Sequence, residues 1–519
     1  MIGGRRSDSY DAVIIGGGIG ALTASAYLAR GKARVLVLEA SSRFGGGSET
    51  VEFAPGFRAP LLSHVAYALD WRAVRELRLA EHGLAFAQPN MKTVALREGG
   101  KHIVLPEKGF RRRASFAAHA GSEGMEYGAF QEEVIRFARL LRPLWDGTLA
   151  DPRTQNRDAV LATLIRRLRL GDADAERLES LSRLSAAAFA AGWLENDALA
   201  AALSFDVFPS GMSPQEAGSA LVLIWRYAQE SCGRQGAVSQ IKGGTGALAR
   251  ALETAAREAG AELRASARVG SIIVEKRRAI GVMLADGEMI PAKAVLSSLD
   301  VRKTLLDLVP VDCLGFGTAA SAPEPERIGT AQIMLALNGP PPIAGLASGD
   351  LGARLVIAER PEIASEAKGA ALNGALPGVL GIEMTIPTAA DAALAPTGCH
   401  VLSIVLPYMP VSVADGWEVW RTVLLKRVLA MLEGLAPGLK DRLVADCVIV
   451  PGDAKHGVTN SRSPSWHLLA SYEARIRTPI AGLYLCGRTA EPVNALCGRA
   501  GRIAAGLVFM GHHQAGSAL

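Results

Sequence analysis

The residues best suited to chemistry lie near the start of the chain. Gly16, Gly18 and Ala21 form a G-x-G-x-x-A pattern within Gly16-Gly17-Gly18-Ile19-Gly20-Ala21. Gly16 permits a tight turn. Gly18 lets a pyrophosphate come up against the backbone. The small Ala21 lets helix pack closely on strand. A helix starting here offers free N–H groups and partial positive charge to an anion. Glu39, further on, is placed to accept hydrogen bonds from a ribose 2′-OH. The chemistry this supports is the binding of a dinucleotide.

Those residues need elements to hold them. Val13, Ile14 and Ile15 form a short apolar run, as in a buried parallel strand. A helical pattern follows to Arg30, and Gly31 is a natural stop. Val35 to Leu38 reads as a second buried strand ending on Glu39. A glycine-rich turn in some other α/β protein would leave that acid unexplained. The uncharged stretch Ala12–Ala29 could be taken for a membrane span. Four glycines in its first half and the immediate βαβ continuation argue against this.

The chain has 519 residues, enough for two or three domains with sizeable cores. It is 49% hydrophobic and 21% charged, an ordinary balance for a soluble globular protein. A net charge of +5 is close to neutral for this size and gives no ground for a nucleic-acid partner. Met1–Tyr10 is polar and has no apolar core, so it does not read as a signal peptide. The six cysteines are scattered without a C-x-x-C pair. The expectation is a reducing, cytoplasmic location with neither a disulfide framework nor a metal site.

Directly after the second strand comes Arg43-Phe44-Gly45-Gly46-Gly47-Ser48-Glu49-Thr50, an R-x-G-G-x-x-x-T pattern. The arginine can pair with a phosphate, the glycines let backbone approach a flat ring system, and the threonine offers a hydroxyl. Gly56-Phe57-Arg58 follows. At this point the sequence resembles the phytoene-desaturase-like branch of the FAD-dependent amine oxidase superfamily. Within that branch it is most similar to the pyridine nucleotide-disulphide oxidoreductase domain-containing proteins. The resemblance implies FAD as cofactor. It assigns Gly16, Gly18, Gly20 and Ala21 to the pyrophosphate, and Glu39 and Ala40 to the adenosine ribose. Arg43, Gly45, Gly46, Gly47 and Thr50 would lie along the FAD, with Gly47 standing where the family often has arginine.

The resemblance covers most of the chain. Leu79–Leu84 fits, as does Gly236–Leu299 with its Gly243–Leu248 turn, a helix to Glu258, and strands at 261–264 and 269–274. An alternating run at 279–284 meets Asp286-Gly287, a hairpin signal. Ala294–Ser298 reads as a return strand. In the family the residue at Val269 touches adenine through its backbone. Gly482–Gly487 reads as a closing strand, and Gly498–Gly506 opens a last helix. By resemblance, Gly487, Arg488, Gly498 and Gly501 bring backbone N–H groups to the flavin pyrimidine ring, where they stabilise the charge of the reduced form.

Two long insertions separate these returns. The first is expected to be mainly helical. Phe130, Val134, Phe137, Leu140, Leu141 and Leu144 fall at helical spacing, as do Leu161, Leu164, Ile165 and Leu168 beside Arg166, Arg167 and Arg169. Such a basic helix can lie on a membrane, but a solvated face over a core stripe is the more economical reading. Phe208–Pro214 is a turn-rich loop. The second insertion is mixed, with strands at 331–337, 378–386 and 400–406. Its Ile386–Thr388 and Leu394–His400 stretches match the family and would wall the flavin. The expected fold class is α/β: a Rossmann-like FAD-binding domain split over 1–62, 236–300 and 477–519, with an inserted mixed-sheet and helical substrate domain over 63–235 and 301–476.

The closing motif departs from the family. Relatives carry His-Pro-Gly-Gly-Gly, and this chain has Glu491-Pro492-Val493-Asn494-Ala495. Glu491 and Asn494 thus become the expected catalytic residues facing a different substrate. A carboxylate beside a flavin and an apolar substrate would have a raised pKa suited to proton transfer. A helix-cap carboxylate is the alternative for Glu491. Arg58 and His64 are further candidates. The resemblance implies hydride transfer from an apolar or amphipathic small molecule to flavin N5, with oxygen or a quinone as acceptor. Peripheral membrane contact and homodimers are habits of the family. Two other readings stay open on the same scaffold: a flavin-dependent isomerase, and a non-enzymatic lipid carrier like the Rab GDP-dissociation inhibitors. The altered 491–495 run allows the carrier, and the intact Arg43–Thr50 motif speaks against it.

Overall fold

The first strand, Tyr10–Ile15, is buried from Ala12 onward. It pairs in parallel with Val35–Leu38 on one side and Met289–Ser297 on the other. In this computed structural model, which describes residues 9–105, 122–146, 157–314, 327–451, 453, 458–459, 468–469, 472–493 and 495–516, these strands centre a seven-stranded sheet. Its order is Glu262–Arg264, Val35–Leu38, Tyr10–Ile15, Met289–Ser297, Arg278–Leu284 and Val269–Glu275. Leu483–Leu485 also pairs with Met289–Ser297. The central strands are apolar along their whole length because both faces are covered. Ala12, Ile14, Val35 and Val37 meet the helices Ile19–Arg30, Gly246–Glu258 and Arg499–Gly516. Val13, Ile15, Leu36 and Leu38 meet the antiparallel hairpin and the segment around Leu305 and Val309.

Small residues set how closely these layers approach. A Cβ on Gly20 would stand 1.8 Å from the Cys486 carbonyl oxygen, one on Gly501 2.1 Å from that of Gly20, and one on Gly487 2.2 Å from that of Ser298. First helix, closing strand and closing helix therefore touch backbone to backbone. The sequence motif pointed to Ala21 for this close packing. The structure gives the closest approach to Gly20, and Ala21 is an ordinary buried core residue.

The second sheet has eight strands. Seven run in the order Leu443–Ile449, Ile328–Leu337, His400–Pro410, Ile382–Thr385, Arg354–Ile357, Thr93–Ala95 and Ile103–Leu105, with Val458–Thr459 beside Ile328–Leu337. Thr93–Ala95 and Ile103–Leu105 are strands within a first insertion expected to be mainly helical. At 3 residues each they are too short to show a period of two. Thr93–Ala95 joins the sheet by pairing in parallel with Arg354–Ile357.

Most of the other described elements of the first insertion are helices, as expected, beside the short strands Phe86–Gln88, Glu230–Ser231 and Arg234–Gln235. Ser122–Trp145 and Arg157–Leu168 bury Phe130, Val134, Phe137, Leu141, Leu144, Leu161 and Leu164 in one core, while Arg166 and Arg167 are exposed. Among the described residues no helix is long and apolar enough to cross a membrane.

Adding one methyl group separates the packing glycines from the ordinary ones. Gly20→Ala is expected to lose about 2–3 kcal/mol or fail to fold, because its Cβ overlaps a backbone oxygen that cannot move aside. Gly506→Ala, in the closing helix with open space around it, is expected to gain about 0.5–1 kcal/mol from helix propensity. Denaturant midpoints of the two variants check the contrast.

Candidate functional site

The N-terminal turn is built to hold an anion. Gly16 takes a positive φ of 87° and donates its N–H to the Leu38 carbonyl at 2.8 Å. Gly18 is the N-cap of the first helix and supplies no side-chain cap, so no side chain claims the first-turn N–H groups. The Glu39 carboxylate is pinned beside this turn: Oε2 accepts the Gly17 N–H at 2.6 Å and Oε1 the Ser41 N–H at 2.7 Å. The Arg43 loop folds onto the same turn, with Gly45 N–H donating to Gly17 O at 2.8 Å.

Between the two loops lies an open cradle. A Cβ on Gly18 would meet nothing nearer than Ser298 Oγ at 3.9 Å, and one on Gly46 nothing nearer than Gly18 Cα at 3.7 Å. Bare backbone, a helix N-terminus and a fixed acid suit the pyrophosphate and ribose of a dinucleotide. The chain from Arg264 to Val269 runs beside the acid: Glu39 N–H donates to Arg264 O at 2.9 Å, and Ala267 N–H to Glu39 O at 2.8 Å. Val269 opens the next strand. Ala40 and the Arg43 side chain are exposed at the rim, with Arg43 Nε 3.7 Å from a Glu49 oxygen.

Two motif residues have internal tasks. The Thr50 hydroxyl donates to Gly243 O and accepts the Gly246 N–H, both at 3.1 Å. It therefore clamps the Gly243–Leu248 turn rather than presenting a free hydroxyl. A Cβ on Gly47 would stand 2.8 Å from Leu62 Cδ1, so packing against Leu62 explains that glycine.

The closing segment returns to the same region. Gly498 has a φ of +89°, and a Cβ there would lie 2.8 Å from Thr23 Oγ1 on the first helix. Arg488 begins a single 3₁₀ turn after Gly487. Glu491, the expected acid–base residue, has both carboxylate oxygens engaged by its neighbours. It is buried, Oε1 accepts the Ala500 N–H at 2.8 Å, and Oε2 accepts the Tyr472 hydroxyl at 2.7 Å. It caps the start of Arg499–Gly516, the alternative the sequence allowed. Asn494 lies outside the described residues.

A cavity opens between the Leu62–Tyr67 segment and one face of the second sheet. It encloses about 580 Å³ of empty space, part of it open to solvent. Leu62, Val65, Phe208, Val405 and Leu496 give it apolar walls, and His64 and Glu383 are set into them. His64 Nε2 and Glu383 Oε1 lie 2.9 Å apart, and His64 Nδ1 lies 3.1 Å from Ser403 Oγ. Arg354 grips Glu383 Oε2 with Nε at 2.6 Å and Nη2 at 2.5 Å, and reaches Asp206 Oδ1 with Nη1 at 2.6 Å. The Asp206 Oδ2 lies 3.9 Å from Arg226 Nε. Burial alone would raise the Glu383 pKa, but the Arg354 charge and the His64 hydrogen bond outweigh it and hold the carboxyl below its ordinary value.

Gln332 donates to Pro60 O at 2.8 Å and Ser403 Oγ at 3.0 Å, and its buried Oε1 is an unpaired acceptor. His64 was expected near this site. Glu383, Arg354 and Asp206 were missed because no motif carries them. Their signal was a charge inside apolar strands such as Ile382-Glu383-Met384-Thr385, whose residues are all buried. Arg58 turns outward and donates to Ala393 O at 2.7 Å.

The burial of the Glu491 cap can be tested by titration. Burial holds the Glu491 carboxyl above its ordinary 4.5, the Ala500 N–H and Arg499 only partly offsetting it. The folded state therefore binds this proton more tightly than the unfolded chain. That contribution to stability is present below pH 4.5 and is lost as pH rises through the higher folded value. Glu491→Gln keeps an acceptor for the Ala500 N–H and has no such dependence. Its denaturant midpoint is expected to gain on the wild type as pH rises from 4.5 toward neutrality, and parallel curves would contradict the buried cap.

The sequence matches the family described as flavin containing amine oxidoreductase over residues 22–312. Pyridine nucleotide-disulfide oxidoreductase domain-containing protein 2 of Mus musculus is 28% identical over 568 residues, with 98% of this chain and 94% of that protein covered. Hydroxyneurosporene desaturase of Cereibacter sphaeroides is 29% identical over 327 residues, covering 60% of this chain and 59% of that one. The solved structure of putrescine oxidase bound to putrescine superposes with a TM-score of 0.61 at 16% identity, covering 96% and 98% of the two chains. That likeness concerns the fold. The family match takes in more than half of the sequence, so the chain belongs to the flavin containing amine oxidoreductase family and is an FAD-dependent oxidoreductase.

Proposed function

We propose that this enzyme oxidises a neutral, apolar or amphipathic molecule held in the cavity bounded by His64 and Glu383. One observation carries the reading. Glu383 is the single acidic residue among the described lining residues, and its carboxylate is already shared between His64 and a bidentate Arg354. Glu383, Asp206, Arg354 and Arg226 sum to zero charge, so the wall has no spare anion for a substrate ammonium. A cationic amine would lose its hydration there and gain no counter-ion. An apolar chain loses little water and fills the space between Leu62, Val65, Phe208 and Val405. The similarity to a desaturase over 60% of this chain supports the same direction.

The cofactor residues are proposed on the same footing. Gly16, Gly18 and the first turn of Ile19–Arg30 would hold the FAD pyrophosphate, Glu39 the adenosine ribose, and the Val269 backbone the adenine. Gly45 and Gly46 would let backbone lie along the FAD. Gly487, Gly498 and Gly501 would act by bringing closing strand and helix close to the first helix. FAD held by these residues would supply the redox chemistry, as the hydride acceptor. The chain binds the substrate, orients its C–H and excludes water, while His64 stays hydrogen-bonded between Ser403 and Glu383. The two-part division, 1–62, 236–300 and 477–519 against 63–235 and 301–476, is supported by which segments share each of the two large sheets.

The test is anaerobic mixing of the purified, FAD-loaded enzyme with two compound classes. Neutral apolar compounds, such as a detergent-solubilised polyene, are expected to bleach the flavin absorbance. Primary amines such as putrescine or cyclohexylamine are expected to leave it unchanged. Bleaching by amines alone would overturn the reading. Glu39→Ala removes the fixed acid, and its affinity for FAD is expected to fall about 10- to 100-fold in equilibrium titration.

A further inference from the structure

A second cavity lies on the other side of Phe208. It encloses about 370 Å³ of empty space, part of it open to solvent beside the exposed Arg360. Its walls are almost wholly apolar, with Phe205, Phe208, Pro214, Ala367 and Tyr408 among them. Phe208 belongs to the walls of both cavities. It sits on the 3₁₀ segment Phe205–Ser210, its ring centroid 5.1 Å from that of Phe205. The strand His400–Pro410 also serves both, with Val405 in the first wall and Pro407 and Tyr408 in the second. The Tyr408 hydroxyl donates to Met212 O at 2.6 Å, which fixes this side of the chamber.

One polar residue of this apolar lining has an unpaired side chain. Ser204 lines the cavity, is 0% exposed, and its Oγ has no hydrogen-bond partner. A buried hydroxyl left unpaired is costly, and such groups find a partner when one is offered. Arg360, the one cation among the lining residues, is held by both oxygens of Glu366, at 2.7 and 3.0 Å, which leaves no free charge for an anionic end group.

We propose that this chamber binds the far end of the substrate. The ligand is an extended apolar molecule with a neutral hydrogen-bonding terminus, a hydroxyl or carbonyl. Ser204 Oγ bonds that terminus, and the chain passes Phe208 toward the cavity of His64 and Glu383. The inference rests on the reading of that first cavity as the substrate's.

The test uses the FAD-loaded enzyme with 1-dodecanol and n-dodecane as probes, and equilibrium dialysis as the readout. Ser204→Ala is expected to bind dodecanol about fivefold more weakly than the wild type and dodecane equally well. Phe208→Trp, which enlarges the side chain shared by the two walls, is expected to weaken both. Without ligand, Ser204→Ala should unfold no earlier than the wild type, since it removes a hydroxyl that has no partner. Equal dodecanol affinity in wild type and Ser204→Ala overturns the proposal. The flavin band reports the first cavity separately. Binding that shifts the band but ignores Ser204 overturns the chamber and leaves the first cavity's reading standing. Ser204-dependent binding that leaves the band unmoved supports the chamber and contradicts that reading.

Discussion

The structure depends on a backbone contact between its two ends. The first helix carries Gly20, Cys486 directly follows the closing strand, and the closing helix carries Gly501. Each needs the space that a side chain on its neighbour would take. That contact cannot be replaced by better side-chain packing, because the atoms in the way are backbone carbonyl oxygens. It closes a sheet whose strands come from the start, the middle and the end of the chain. The Glu491 carboxylate secures the same junction by satisfying the Ala500 N–H at the start of the closing helix.

The proposed cofactor cradle follows from that closure. Once the first helix is fixed at its C-terminal partners, its N-terminus and the Gly16–Gly18 turn have one position. Glu39 is held there by two backbone N–H groups, so it is oriented before any ligand arrives. The Gly243–Leu248 turn fixes the Arg43–Thr50 loop from behind through the Thr50 hydroxyl. The glycines then divide by physical task. Gly20, Gly487 and Gly501 are small because protein occupies the space. Gly18 and Gly46 are small where the space is open.

Burying a charged cluster beside the cavity has a cost, and the cluster meets it by pairing. Arg354 joins Glu383 to Asp206, and His64 and Arg226 complete the chain at either end. Such a network contributes little to stability compared with an apolar equivalent, but losing any one partner strands the rest. In the proposed reading, this neutrality with fixed geometry selects substrates by shape and apolar area.

Much of the first sheet was legible because one local grammar, strand–glycine turn–helix–strand–acid, spells it out in thirty residues or so. The strands at 331–337 and 400–406 showed through their length. Thr93–Ala95 and Ile103–Leu105 did not, since three-residue strands have no period to read. The chemical side of the site was harder. Glu491 stood where a family motif was broken and drew attention for that reason, yet its partners make it a helix cap. Glu383, Arg354 and Asp206 lie far apart in sequence and meet only in the folded chain. The central claim is that the gap at Gly18 belongs to FAD. Gly18 is extended, at φ −72°, with open space before it, so Gly18→Val should fold as well as the wild type in the absence of cofactor. The FAD content of the purified variant, read from its visible spectrum beside its unfolding midpoint, is the most direct test. A folded, colourless variant is the predicted result, and a folded variant with full flavin content would contradict the account.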